Sequence, residues 1–69
     1  MEDWKERCRD EHEQLCSRLA RLEAMIVRFH EGTLRFEPAC PIGLLERQAA
    51  AMREYRDALE ERNAIEHMW

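Results

Sequence analysis

Gly32-Thr33-Leu34-Arg35-Phe36-Glu37-Pro38-Ala39-Cys40-Pro41-Ile42-Gly43 holds both glycines and both prolines of this 69-residue chain. Glycine costs a helix backbone entropy, and proline removes an amide donor and collides with the preceding turn. The 31 residues before this window and the 26 after it contain neither. One break between two uninterrupted stretches predicts an all-α fold of two long helices in an antiparallel hairpin. Helix 1 is expected over about 3–30, the connection over 31–41 and helix 2 over about 42–66, all within one domain spanning 1–69.

Working back from the break, Leu15, Leu19, Leu22, Ile26 and Phe29 follow one another in steps of four and three. Cys8, His12 and Trp4 extend the stripe toward the start. This is the spacing that keeps one helix face apolar. Asp3 followed by Glu6 reads as an N-cap with a capping-box partner, and Gly32 as the C′ residue. Beyond the break, Pro41 suits a first helical turn, with Cys40 at the N-cap. Helix 2 carries three parallel lines of sevenfold spacing. One is Leu44, Ala51, Ala58, Ile65. A second is Leu45, Met52, Leu59. A third is Gln48, Tyr55, Arg62, Trp69. Arg53–Asp57 and Arg56–Glu60 are spaced as surface pairs. Leu34, Phe36 and Ile42 predict a loop that folds over the closed end of the hairpin.

A chain this short has one small core, and domains of this size commonly add a disulfide, a metal or other copies. Three cysteines leave one unpaired in any disulfide scheme. Self-association is therefore expected: a homo-oligomeric helical bundle, with Leu15, Leu19, Leu22, Ile26, Leu45, Met52, Leu59 and Trp69 at the interface.

Charge and composition narrow the function classes. A net charge of −4 argues against an extended nucleic-acid partner, which calls for a basic surface. No stretch has the length and apolarity of a membrane span. The opening Met1-Glu2-Asp3-Trp4-Lys5 is acidic and no apolar run follows it, so no secretory leader and a cytoplasmic location are expected. Ten of the eleven basic residues are arginine, the better fork for phosphate or carboxylate.

Cys8, His12 and Cys16 place metal-type donors on one stripe, with His67 able to approach from the other helix. Three ligands on one helix spread too far along its axis to converge, and no Cys-x-x-Cys is present, so no metal or cofactor is expected. Glu11, Glu54 and Asp57 read as solvated carboxylates. No glycine-rich phosphate loop and no Glu-x-x-His pair is found, and the chain does not read as an enzyme. Gln48, Tyr55 and Arg62 border the core. They fix helix register, or they frame a pocket in which the ring stacks on a planar anion and the guanidinium holds phosphate. Trp4 either plugs the open end of the hairpin or anchors another protein.

The pattern Trp4-x-x-Arg7-Cys8-x-x-Glu11-x-x-x-Leu15, then Leu22-x-x-Met25-Ile26, then Leu44-Leu45-x-x-Gln48-x-x-x-Met52-x-x-Tyr55-x-x-x-Leu59-x-x-Arg62, resembles a family of small helical proteins of tailed phages and prophages related to crAss-like phage. The resemblance implies a non-catalytic counter-defence binding protein. In its sharpest form it is an oligomeric sponge for cyclic nucleotide immune signals, with Trp4, Arg7, Tyr55 and Arg62 holding the ligand. The alternatives it leaves are a protein-binding inhibitor of a host defence complex, similar to anti-CRISPR proteins, and a structural oligomerisation module.

Overall fold

The computed structural model describes residues 3–67 and contains two helices, α1 (Asp3–Glu31) and α2 (Ile42–Glu66). They pack against each other as an antiparallel hairpin with principal extents of 47 × 17 × 17 Å. The fold class is therefore the all-helical hairpin expected from the single break. The expected interface residue Trp69 lies outside the described residues.

α1 opens with Asp3 and Glu6 in its first turn and closes with Arg28 and His30 in its last, each sign matching the helix dipole. It ends in a Schellman turn. Gly32 has φ +74°, its amide donates to the Phe29 carbonyl at 3.1 Å, and the Thr33 amide donates to the Arg28 carbonyl at 2.9 Å. α2 starts one residue later than the proline pattern suggests. Pro41, with φ −57° and ψ 142°, is itself the N-cap and makes no side-chain capping bond. Its extended ψ leaves its own carbonyl, rather than that of Cys40, to accept from Leu44 at 3.0 Å. At the far end His67 adopts the left-handed conformation (φ 53°, ψ 51°), and its amide donates to the Asn63 carbonyl at 2.7 Å.

The core is one seam. Among the described residues, Leu19, Leu45, Ala49 and Leu59 are buried, at 1–8% exposure. On α1 the stripe Cys8, His12, Leu15, Leu19, Leu22, Ile26 runs at least half-buried in steps of four and three. On α2 the facing stripe is Leu45, Ala49, Met52, Arg56, Leu59, Asn63, with the same steps. Two matched heptad stripes facing each other give antiparallel coiled-coil packing. Leu34 and Ile42 tuck partly under the connection, whereas Phe36 stays 60% exposed and does not cover the hairpin end as expected.

Polar ties fix the register along one edge of the seam. Arg53 donates to Glu23 at 2.6 Å, His12 Nε2 sits 3.1 Å from Glu60 Oε1, and His30 Nε2 sits 3.6 Å from Glu46 Oε2. The expected Arg53–Asp57 and Arg56–Glu60 pairs do not form. Arg53 crosses to α1, Glu60 turns to His12, and Arg56 bonds its neighbour Asp57 at 3.2 Å. A cross-helix carboxylate orders two elements at once, whereas an exposed pair within one helix adds only tenths of a kcal/mol.

The two left-handed helix ends give opposite predictions. Gly32→Ala forces a Cβ into a positive-φ position and is expected to cost about 1 kcal/mol, whereas His67→Gly removes one there and is expected to add about 0.5 kcal/mol. Urea unfolding followed by circular dichroism measures both.

Candidate functional site

The second edge of the seam differs from the ion-paired one. Here Tyr55 Oη donates to a Glu11 carboxylate oxygen. Trp4 lies seven residues before Glu11 and Arg62 seven after Tyr55, so two helical turns place each on the same flank. Arg7, three residues beyond Trp4, borders it. The hairpin thus brings all four expected ligand residues to one flank, near the open end. Trp4 is 42% exposed and Tyr55 45%, and Arg7 and Arg62 are exposed as well.

The electrostatics of this flank centre on Tyr55. Its hydroxyl is held above the ordinary pKa of 10.0, first by the hydrogen bond to Glu11, then by partial desolvation and by the negative charges of Glu11 and Cys8; Arg62 opposes the shift. Arg62 Nε donates to Glu66 Oε2 at 3.2 Å, one helical turn away, which orients the guanidinium along the flank. Lys5 Nζ lies 5.6 Å from the centre of the Trp4 ring, within cation–π range. The flank therefore offers two aromatic faces and two guanidinium groups on an exposed surface. That combination suits a planar anion, by stacking and by forked hydrogen bonds.

The remaining expected residues take other places. Leu19, Leu45 and Leu59 are covered within the one chain by the opposing helix. Leu15, Leu22, Ile26 and Met52 are half-buried there and keep part of their surface. Among the described residues no group of three or more His, Cys, Asp or Glu is placed to hold a metal ion. His12 is turned to Glu60, with Cys16 Sγ 3.6 Å from the same ring nitrogen.

Two concave features escaped the sequence reading. A cleft of about 510 Å³ at the closed end is lined by Arg28, Thr33, Leu34, Arg35 and Phe36. A shallower hollow of about 350 Å³ lies on α2 between Leu44, Arg47, Gln48 and Ala51. The second was within reach, since i, i+3, i+4, i+7 is the four-residue hole into which a neighbouring helix packs. The first depends on how the loop lies, which no periodicity encodes.

The fold and flank define a two-helix hairpin with an exposed edge of aromatic and arginine side chains. The family model named Sequestin matches residues 2–65, nearly the whole chain, and the protein belongs to that family. The family name denotes sequestration, a binding role. No curated protein matches the chain, and no solved structure matches it. Among the described residues no helix is long and apolar enough to cross a membrane.

Tyr55 is the chain's one tyrosine, so ultraviolet titration reads it alone. Its midpoint is expected above 10.0, and Glu11→Gln is expected to lower it. The sign for stability follows. A raised folded-state pKa contributes stability that is present below the unfolded pKa and is lost as pH rises through the folded one. The contribution of the Tyr55 hydroxyl to this tie is thus present at neutral pH and is lost in strong alkali.

Proposed function

We propose that this protein is a non-catalytic, phage-encoded counter-defence protein that sequesters a cyclic nucleotide immune signal in the host cytoplasm, acting as a homo-oligomer. The observation that carries the reading is the convergence of Trp4, Arg7, Tyr55 and Arg62 on one exposed flank, in a chain whose family is named for sequestration. Tyr55 and Trp4 stack the base, and Arg62 and Arg7 hold phosphate. A sponge needs affinity and no turnover, and nothing in this constellation calls for a proton shuttle or a nucleophile.

A second reading is favoured by the apolar surface. Val27, Phe36, Leu44 and Ile65 are 49–79% exposed on a chain of net charge −4. Such a surface suits docking onto a basic host defence protein as its inhibitor. A structural oligomer without ligand is the third reading. It expects Arg62→Ala to leave activity intact.

Thermal-shift screening against cyclic di- and trinucleotides tests the first reading. A ligand present at about a hundred times its Kd stabilises by about 2.7 kcal/mol, which for a domain this size raises Tm by roughly 10–20 °C. Arg62→Ala is expected to remove most of that shift while leaving the unliganded Tm nearly unchanged, because its side chain is 53% exposed. No shift across the panel, together with one dominant host protein in a pull-down, retires the nucleotide reading in favour of the inhibitor.

A further inference from the structure

We infer that α2 pairs with α2 of a second copy, antiparallel about a two-fold axis, and that this pairing completes the Tyr55–Arg62 site. The composite site rests on the sequestering role proposed above; the pairing itself does not.

The starting point is that α2 is apolar on two sides, and α1 covers only one. Leu45, Ala49, Met52 and Leu59 face α1. Leu44, Ala51, Ala58 and Ile65 face away, each seven residues from the next, and all are exposed, Leu44 at 49% and Ile65 at 79%. A sevenfold apolar line running the length of a helix is a second coiled-coil seam. The hollow between Leu44, Arg47, Gln48 and Ala51 is a packing hole of that seam.

The order of residues identifies the occupant. Read in either direction, the line runs large, small, small, large. An antiparallel copy places Leu44 opposite Ile65 and Ala51 opposite Ala58. The small pair lets the backbones approach and the large pairs bracket the contact. The charges bordering the line reverse in the same register. On one border Arg47 meets Glu61 of the second copy, on the other Gln48 meets Arg62 of the second copy, and each contact occurs twice. Self-complementarity of this kind defines an isologous two-fold interface. One contact opposes it: Glu54 meets Glu54 near the axis.

The site follows from the geometry of the edge. Gln48, Tyr55 and Arg62 lie on the side of the exposed line that faces α1 and Glu11. In a single chain this edge is open on its outer side. In the pair it becomes the floor of a groove walled by α1 and by the second copy. The two Tyr55 rings meet at the axis, with an Arg62 two turns away on each side, about 10 Å along the helix at 1.5 Å per residue. Two stacking faces and two guanidinium groups related by a two-fold fit a ligand with two bases and two phosphates, the chemistry of a cyclic dinucleotide.

The test is molar mass by light scattering across micromolar concentrations, with circular dichroism as the control for folding. Ala51→Glu and Ala58→Glu change residues exposed in the single hairpin, so both chains are expected to stay helical and become monomeric. Arg47→Glu alone is expected to raise the dissociation constant by roughly tenfold, and Arg47→Glu with Glu61→Arg to restore it. Glu54→Gln is expected to tighten the pair. A wild-type chain that stays monomeric, an Ala51→Glu variant that assembles unchanged, or a double reversal no better than the single one overturns the pairing. Cyclic di-GMP binding is measured on the same samples. Binding by the dimer that Ala51→Glu abolishes supports the composite site, and equal binding by the Ala51→Glu monomer overturns it. A dimer that takes up no cyclic dinucleotide removes the composite site and counts against sequestration, while the measured mass upholds the pairing.

Discussion

The seam between α1 and α2, with Leu19 buried on one side and Leu45, Ala49 and Leu59 along the other, is one side chain deep, and the rest of the hairpin is arranged around it. Among the described residues, four are buried. Removing a buried leucine side chain costs about 2–5 kcal/mol, against a total stability of about 5–15 kcal/mol for an ordinary domain. With so little interior, the edges of the seam carry more of the register than they would in a larger protein. On one edge His12–Glu60, Glu23–Arg53 and His30–Glu46 set the pairing at three levels. On the other, Tyr55–Glu11 sets it once. The sparser edge carries the exposed tryptophan, the tyrosine and the arginines.

The hairpin was legible because its two controlling signals are local. Glycine and proline act on their own backbone, and a four–three apolar step is set by the helix repeat. The choice of face on α1 was legible for the same reason, since its apolar residues concentrate on one side. On α2 three lines compete, and nothing in the chain ranks them before a partner helix is placed. The structure selects the Leu45–Met52–Leu59 line and adds Ala49, a residue small enough to suit any face and so silent in a pattern search. The N-cap moved by one residue because it depends on the ψ of Pro41, which the proline ring leaves open.

The site was half legible. Tyr55 and Arg62 stand seven apart, and Trp4 and Glu11 do likewise, so each helix advertises its own stripe. Their meeting is a matter of register between helices, and the Tyr55–Glu11 bond spans 44 positions. No pattern within one helix encodes that distance. The loop cleft around Arg28, Arg35 and Phe36 was illegible for a different reason. Its walls are irregular backbone, and Phe36 reads as a core residue by type while standing exposed.

Enclosure ties these strands together. Small-molecule sites commonly bury most of the ligand surface, and a flank on a 17 Å wide rod covers one side of a nucleotide at best. A chain of this size therefore has two ways to hold a small anion tightly: a deeper fold, which its length does not permit, or a wall borrowed from another copy. If the wall is borrowed, binding and assembly are one equilibrium seen from two sides. A ligand held in the shared groove binds the pair better than the separate chains, so it must strengthen the pairing by the same factor by which pairing strengthens ligand binding. The Tyr55–Glu11 bond then acts as preorganisation. It holds the ring in place on each hairpin before the second one arrives, so less side-chain freedom remains to be lost on binding.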